Sequence, residues 1–123
     1  MFKLLFVDDD PFVLSAYQRM LHKTPYHCHV LQWPEHLMTL PDLTDFHIAF
    51  IDQQMPGVSG SELLLQLQQR YPAIKRVLVS GDVEFALQQK SAELILDAVV
   101  NKPCSKSSLI SCIEQFAKEQ SRP

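Results

Sequence analysis

The sequence predicts an α/β fold in which a parallel sheet is covered by helices on both faces. Three observations predict it. Short apolar runs with no polar alternation recur along the chain, the pattern of strands buried on both faces. Segments whose apolar residues follow helical spacing separate these runs. The alternation of strand and helix repeats five times, and right-handed crossovers then place helices on both sides of one sheet.

Leu4-Leu5-Phe6-Val7 is the first apolar run. Asp10-Pro11 opens a helix, the carboxylate as N-cap and the proline in the first turn; Val13, Tyr17, Met20 and Leu21 form its apolar face. A less distinct strand covers His27 to Leu31, where Val30 and Leu31 supply the apolar content, and a weaker helix follows Pro34. Ile48-Ala49-Phe50-Ile51 is the next buried run. Ser59 with Glu62 resembles a capping box ahead of Leu63, Leu64 and Leu67. Val77-Leu78-Val79 precedes a helix expected from about Asp82 to Glu93. Ala98-Val99-Val100 is the last strand. The final helix starts near Ser105 and presents Leu109, Ile113 and Phe116, with Ile110 and Ala117 alongside.

A length of 123 residues is that of a single domain, 1–123, and 46% hydrophobic with 20% charged residues suits a globular core. The formal net charge of -3 argues against a nucleic-acid surface on this domain. Cys28, Cys104 and Cys112 match no zinc or redox spacing and read as free thiols in a reducing compartment. His22, His27, His29, His36 and His47 show no ligand spacing, and Trp33-Pro34 reads as a loop anchor. No apolar run is long enough to span a membrane, so a cytoplasmic location is expected. The tail from Lys118 to Pro123 reads either as a terminus or as the start of a linker.

In an open parallel sheet, ligands bind outside the carboxyl ends of the strands. Here those ends carry Asp8-Asp9-Asp10, Asp52, Ser80-Gly81-Asp82 and Asn101-Lys102-Pro103. Carboxylates crowded at one edge repel unless something compensates, and Mg²⁺ accepts such oxygen ligands. Asp9 and Asp52 are the expected ligands, with Asp8 binding directly or through water, and the backbone carbonyl of Gln54 within reach. Asp10 reads as the helix cap rather than a ligand. A carboxylate can also be a nucleophile that forms an aspartyl phosphate, and Asp52, alone at its strand end, suits that role. Lys102 would offer a mobile charge and Ser80 a hydrogen-bond donor to phosphate oxygens, with no general base required.

Val7-Asp8-Asp9, Asp52 through Gly57 closing with Gly60, Ser80-Gly81 and Lys102-Pro103 occur in order and at fitting spacing. On these residues the chain resembles the receiver domain of two-component response regulators over essentially its whole length. The resemblance implies a flavodoxin-like five-stranded sheet in the order 2-1-3-4-5. It implies phosphoryl transfer from a sensor histidine kinase, or a small phosphodonor, onto Asp52 with Mg²⁺, and often a cis bond like Lys102-Pro103. It implies a signalling domain with self-catalysed phosphotransfer and dephosphorylation rather than an enzyme in the usual sense, and it leaves room for an effector domain in a longer parent chain. Gln54 and Asp82 fall where relatives tune the lifetime of the phosphate.

Three positions depart from the family pattern: Val99 in place of an aromatic, Cys104 in place of another, and Gly81 in place of alanine. One hydrogen bond from Ser80 is worth roughly 1.5–3 kcal/mol, whereas a near-complete switch needs roughly 5.5 kcal/mol. Dimerisation through the fourth helix, fifth strand and fifth helix is therefore expected to contribute. Two alternatives are a receiver-like interaction module that is never phosphorylated, and a haloacid-dehalogenase-type phosphatase using Asp8 and Asp10.

Overall fold

The computed structural model describes residues 2–120. Its five strands are β1 (Lys3–Val7), β2 (His27–Leu31), β3 (Ile48–Asp52), β4 (Lys75–Ser80) and β5 (Ala98–Asn101). They form one sheet in the order β2-β1-β3-β4-β5, and every pairing is parallel. The expected flavodoxin-like order 2-1-3-4-5 is therefore observed. In β1 and β3, side chains alternate between two cores. Leu5, Val7, Ala49 and Ile51 enter one core, while Leu4, Phe6, Ile48 and Phe50 enter the other. This two-sided burial is why neither strand shows polar alternation in the sequence.

Helix α1 (Pro11–Leu21) is capped by Asp10, whose carboxylate accepts from Phe12 N at 2.9 Å. Its buried residues are Leu14, Tyr17 and Leu21, with Val13 and Met20 partly buried alongside. Helix α2 (Gly60–Arg70) starts at Ser59, whose hydroxyl accepts from Glu62 N at 3.2 Å, and buries Leu63, Leu64 and Leu67. Helix α3 is Val83–Gln89 and helix α4 is Lys106–Gln120. Ser105 Oγ accepts from Ser108 N at 3.1 Å at the start of α4, and Leu109, Ile113 and Phe116 are buried. Helices α1 and α4 cover one face of the sheet. On their side Phe6 stacks on Phe50 with centroids 4.6 Å apart and on Tyr17 at 4.4 Å. Residues 118–120 of the tail belong to α4, and residues 121–123 lie outside those described.

Two expectations need correction. The segment after Pro34 is not an α-helix but two 3₁₀ turns, Pro34–Thr39 and Leu43–Asp45. Pro41 is the reason, because it holds Leu40 in extended backbone and so caps the available run at six residues. The helix expected to reach Glu93 ends at Gln89. There the side chain of Gln68 on α2 takes Glu93 O at 2.8 Å and Ile95 N at 2.7 Å, drawing the chain away from helical geometry. The second crossover thus lacks an α-helix, and the fourth and fifth helices of the family count are α3 and α4 here. Among the described residues, no helix is long and apolar enough to cross a membrane.

Candidate functional site

Because β1 lies between β2 and β3 and β4 follows, the strand ends carrying Asp8, Asp52, Ser80 and Lys102 emerge side by side. Asp8, Asp9 and Asp52 each bring a carboxylate oxygen within 4.8 Å of the others. Asp8 is 1% exposed and Asp52 is 6% exposed. Lys102 Nζ bridges them, 2.8 Å from Asp8 Oδ2 and 3.0 Å from Asp52 Oδ1. Asp8 Oδ1 accepts from Asp10 N at 2.9 Å. Asp8 Oδ2 is buried, and the Lys102 ammonium is its close polar neighbour. Three carboxylates against one ammonium leave net negative charge in a sheltered place. Three carboxylate oxygens gathered within 4.8 Å there fit a hard divalent cation that prefers oxygen ligands.

Ser80 is buried at the end of β4, and its Oγ accepts from Asp82 N at 3.0 Å, which leaves its O–H to donate. Lys102 N donates to Ser80 O at 2.9 Å, locking the two strand ends together. The Lys102-Pro103 bond is cis, in keeping with the resemblance. Asp82 is tied down as the cap of α3, accepting from Phe85 N at 3.1 Å. Gln54 is exposed and lines a cleft of about 640 Å³ together with Ser80, Asp82 and Phe85. The structure therefore gathers Asp8, Asp9, Asp52 and Lys102 directly and places Ser80 and Gln54 along the adjoining cleft.

Burial lifts the Asp52 carboxyl above its ordinary range. The hydrogen bond from Lys102 opposes this, while the charges of Asp8 and Asp9 reinforce it. For Lys102 burial pulls downward, but hydrogen bonds to Asp8 and Asp52 outweigh it and the ammonium is held above its ordinary value. The Tyr17 hydroxyl is also pushed up, first by burial and then by Cys104, Asp8 and Asp52.

A folded-state pKa raised above the unfolded one means that ionised Asp52 opposes folding. That opposition is present when the carboxylate is charged and fades as pH falls through the raised value. Asp52→Asn is therefore expected to unfold at a higher temperature than wild type at about pH 8 in the absence of metal, with the gap closing near pH 4. Thermal scans of both proteins across that range check it; a variant less stable at neutral pH would contradict the sign.

Sequence reasoning missed the way the loop after β3 is held. Gln53 is buried, and its Oε1 accepts from Ser61 N at 2.8 Å while its Nε2 donates to Ser61 Oγ at 3.2 Å. Gly60 N donates to Gln53 O at 2.9 Å, and a Cβ at Gly60 would overlap the Asp52 carbonyl oxygen. Gly57 turns the loop at φ 84°. Only the glycines carried a signal in the sequence.

Cys104, where the family pattern has an aromatic, borders an apolar cleft of about 320 Å³ between α1 and the Lys102-Pro103 turn, lined also by Val13, Ala16, Tyr17 and Met20. Cys104→Phe is expected to fill part of it and raise the unfolding free energy by about 1 kcal/mol, read by urea denaturation; an unchanged midpoint would mean that the ring stays in water. The three cysteines are free and half-buried, and burial pushes each thiol up, that of Cys28 to about 11. Val99 lies opposite Leu78 in the β4–β5 register and packs against the core shared with α2. Asp10, needed as the second acid of the phosphatase alternative, is occupied in capping α1.

The family model described as response regulator receiver domain matches residues 4–114. The Bacillus subtilis (strain 168) protein called uncharacterized transcriptional regulatory protein YesN is 23% identical over 146 residues, covering 99% of this chain and 34% of its own length. The chain thus spans about a third of that relative. The signal receiver domain of an HD domain-containing protein from Pseudomonas fluorescens Pf-5 superposes with a TM-score of 0.86 at 23% identity, covering 97% of this chain and 96% of that one. The response regulator TrrA of Thermotoga maritima, in complex with Mg²⁺-BeF, gives 0.82 at 20% identity, covering 94% and 99%. The family match extends over nearly all of the sheet and carries every strand end described above: the chain belongs to the response regulator receiver domains of two-component signalling.

Proposed function

We propose that this receiver domain accepts a phosphoryl group on Asp52, from a sensor histidine kinase or a small phosphodonor, with Mg²⁺ held by Asp8, Asp9, Asp52 and the Gln54 backbone carbonyl. The observation that carries this is Lys102 bridging two buried carboxylates, Asp8 and Asp52, beside a third, Asp9. The complex of TrrA, a protein of the same fold, with Mg²⁺-BeF supports the choice of cation. When bound, the cation would screen the carboxylates from an incoming phosphoryl group and neutralise its oxygens.

Asp52 Oδ forms the new bond to phosphorus. The P–N bond to the kinase imidazole breaks, and the imidazole keeps the electron pair and takes a proton. With acetyl phosphate, the P–O bond breaks and acetate leaves. Lys102, freed from Asp52 Oδ1, turns to a phosphate oxygen, and Ser80 donates to another. Hydrolysis of the aspartyl phosphate by water would reset the domain, with Asp82 near the cleft but tied to its cap.

The proposed unit is the whole of residues 1–123, acting in the cytoplasm. An effector domain in a longer parent chain fits the length of the Bacillus relative. Self-association through α3, β5 and α4 is supported by the exposed apolar side chains Phe85, Leu87 and Ile95 on that side.

The test is intact-mass spectrometry after acetyl phosphate with and without Mg²⁺. Wild type is expected to gain one phosphoryl mass only with Mg²⁺, and Asp52→Asn none. An unmodified wild type would support the interaction-module alternative instead. Sedimentation before and after modification reads the dimer.

A further inference from the structure

Gln53 directly follows Asp52, yet none of the chemistry proposed for the site uses it. An amide side chain at 7% exposure must spend its hydrogen bonds on protein. Here both go to one residue, Ser61, in the first turn of α2. The backbone of Gln53 is held as well: its N donates to Val79 O at 2.9 Å on β4, and its O accepts from Gly60 N at 2.9 Å. One residue thus ties the last turn of β3 to β4 on one side and to α2 on the other. Between Gln53 and Gly60 runs the loop of residues 54–59, with left-handed Gly57 inside it. Gln53 begins that loop and reaches across to Gly60 and Ser61 just past its far end, so it closes the loop upon itself.

We propose that Gln53 is a positioning residue: its side-chain clasp on Ser61 closes the loop so that the Gln54 carbonyl and the Asp52 carboxylate stay aimed at one cation. This rests on the function proposed above. Groups that hold ligands in place, without touching the metal, matter because a ligand that must be ordered at the moment of binding weakens the complex. Residue type is as informative as contact. Gln53 presents its acceptor oxygen and one N–H donor to Ser61, whose own N–H and hydroxyl match them. Methionine has similar length but can make neither bond strongly, so it would leave Ser61 N without its acceptor.

The experiment compares wild type, Gln53→Met and Ile113→Val. Ile113 is buried on the α4 side of the sheet and serves as a control for lost stability alone. Mg²⁺ affinity is read by titration calorimetry, and amide exchange of Ser61 by hydrogen–deuterium exchange without metal. Gln53→Met is expected to bind Mg²⁺ about tenfold more weakly and to lose Ser61 protection, while Ile113→Val binds as wild type. Unchanged affinity in Gln53→Met, with wild type binding normally, would overturn the positioning role and leave the proposed function intact. Equal weakening in Ile113→Val would also overturn it, by showing a general stability effect. Wild type that binds no Mg²⁺ would remove the proposed function, and the positioning role with it.

Discussion

Lys102→Met is expected to lower the unfolding free energy in metal-free buffer by about 3 kcal/mol. The loss comes from what remains. Asp8 and Asp52 are nearly sealed from water, and in wild type the ammonium touches both, at 2.8 and 3.0 Å. Removing one partner of such a group leaves unneutralised carboxylates that resist ionisation. The loss stays at the low end for a buried pair because Lys102 itself is 26% exposed, so water reaches its end of the pair. The deficit shrinks as pH falls, because protonated carboxylates no longer need the cation. Saturating Mg²⁺ is expected to restore most of the stability, and the variant to bind Mg²⁺ more tightly than wild type, since the ammonium no longer competes for the same oxygens. Urea titrations with and without Mg²⁺ read all three. A variant as stable as wild type without metal would show that the ammonium does not hold the buried pair together, and one indifferent to Mg²⁺ would show that these carboxylates are not the cation site. Phosphoryl uptake should fall all the same, because the charge that meets the phosphate is gone.

Gly60→Val is expected to lower the unfolding free energy by about 3 kcal/mol, through backbone overlap rather than charge. At Gly60 the new Cβ would run into the Asp52 carbonyl, with its carbon at 2.7 Å and Gln53 Cα at 2.9 Å. Both are backbone atoms of the segment that presents Asp52, so neither can swing aside as a side chain would. Relief requires α2 to retreat from the sheet, undoing the packing of Leu63, Leu64 and Leu67. Gly57→Ala is the useful contrast. Its φ of 84° is unfavourable for alanine, but no atom lies within 4 Å of the new methyl, so the loss should be nearer 1 kcal/mol. A Gly60→Val protein with the wild-type urea midpoint would show that the close approach can be relaxed at no expense.

Most of the architecture could be read from residue order. The central strands were legible because burial on both faces writes an unbroken apolar run, as at Leu4 to Val7 and Ile48 to Ile51. The helix starts at Asp10 and Ser59 were legible because a cap is a local transaction between a side chain and an amide two or three residues on. The miss after Pro34 was avoidable, since Pro41 limits any helix there. The early end of α3 was not, because it is set by Gln68 from another helix, with nothing nearby to announce it. The charged pocket was legible as a list of strand ends, but the pairing of Lys102 with both Asp8 and Asp52 required the sheet order. Gln53 was invisible for the same reason that Gln68 was: a glutamine in sequence does not reveal whether its amide faces water or a partner.

That pocket joins the first strand to the last, with Asp8 at one end of the chain touching Lys102 near the other. No contiguous fragment shorter than most of the protein can contain both. If the chain is cut in the connection after α2, one piece carries the three acids and the other carries the serine and the lysine. Chemical competence at Asp52 would then return only on reassociation of the two pieces, making a modified mass a direct assay for fragment complementation.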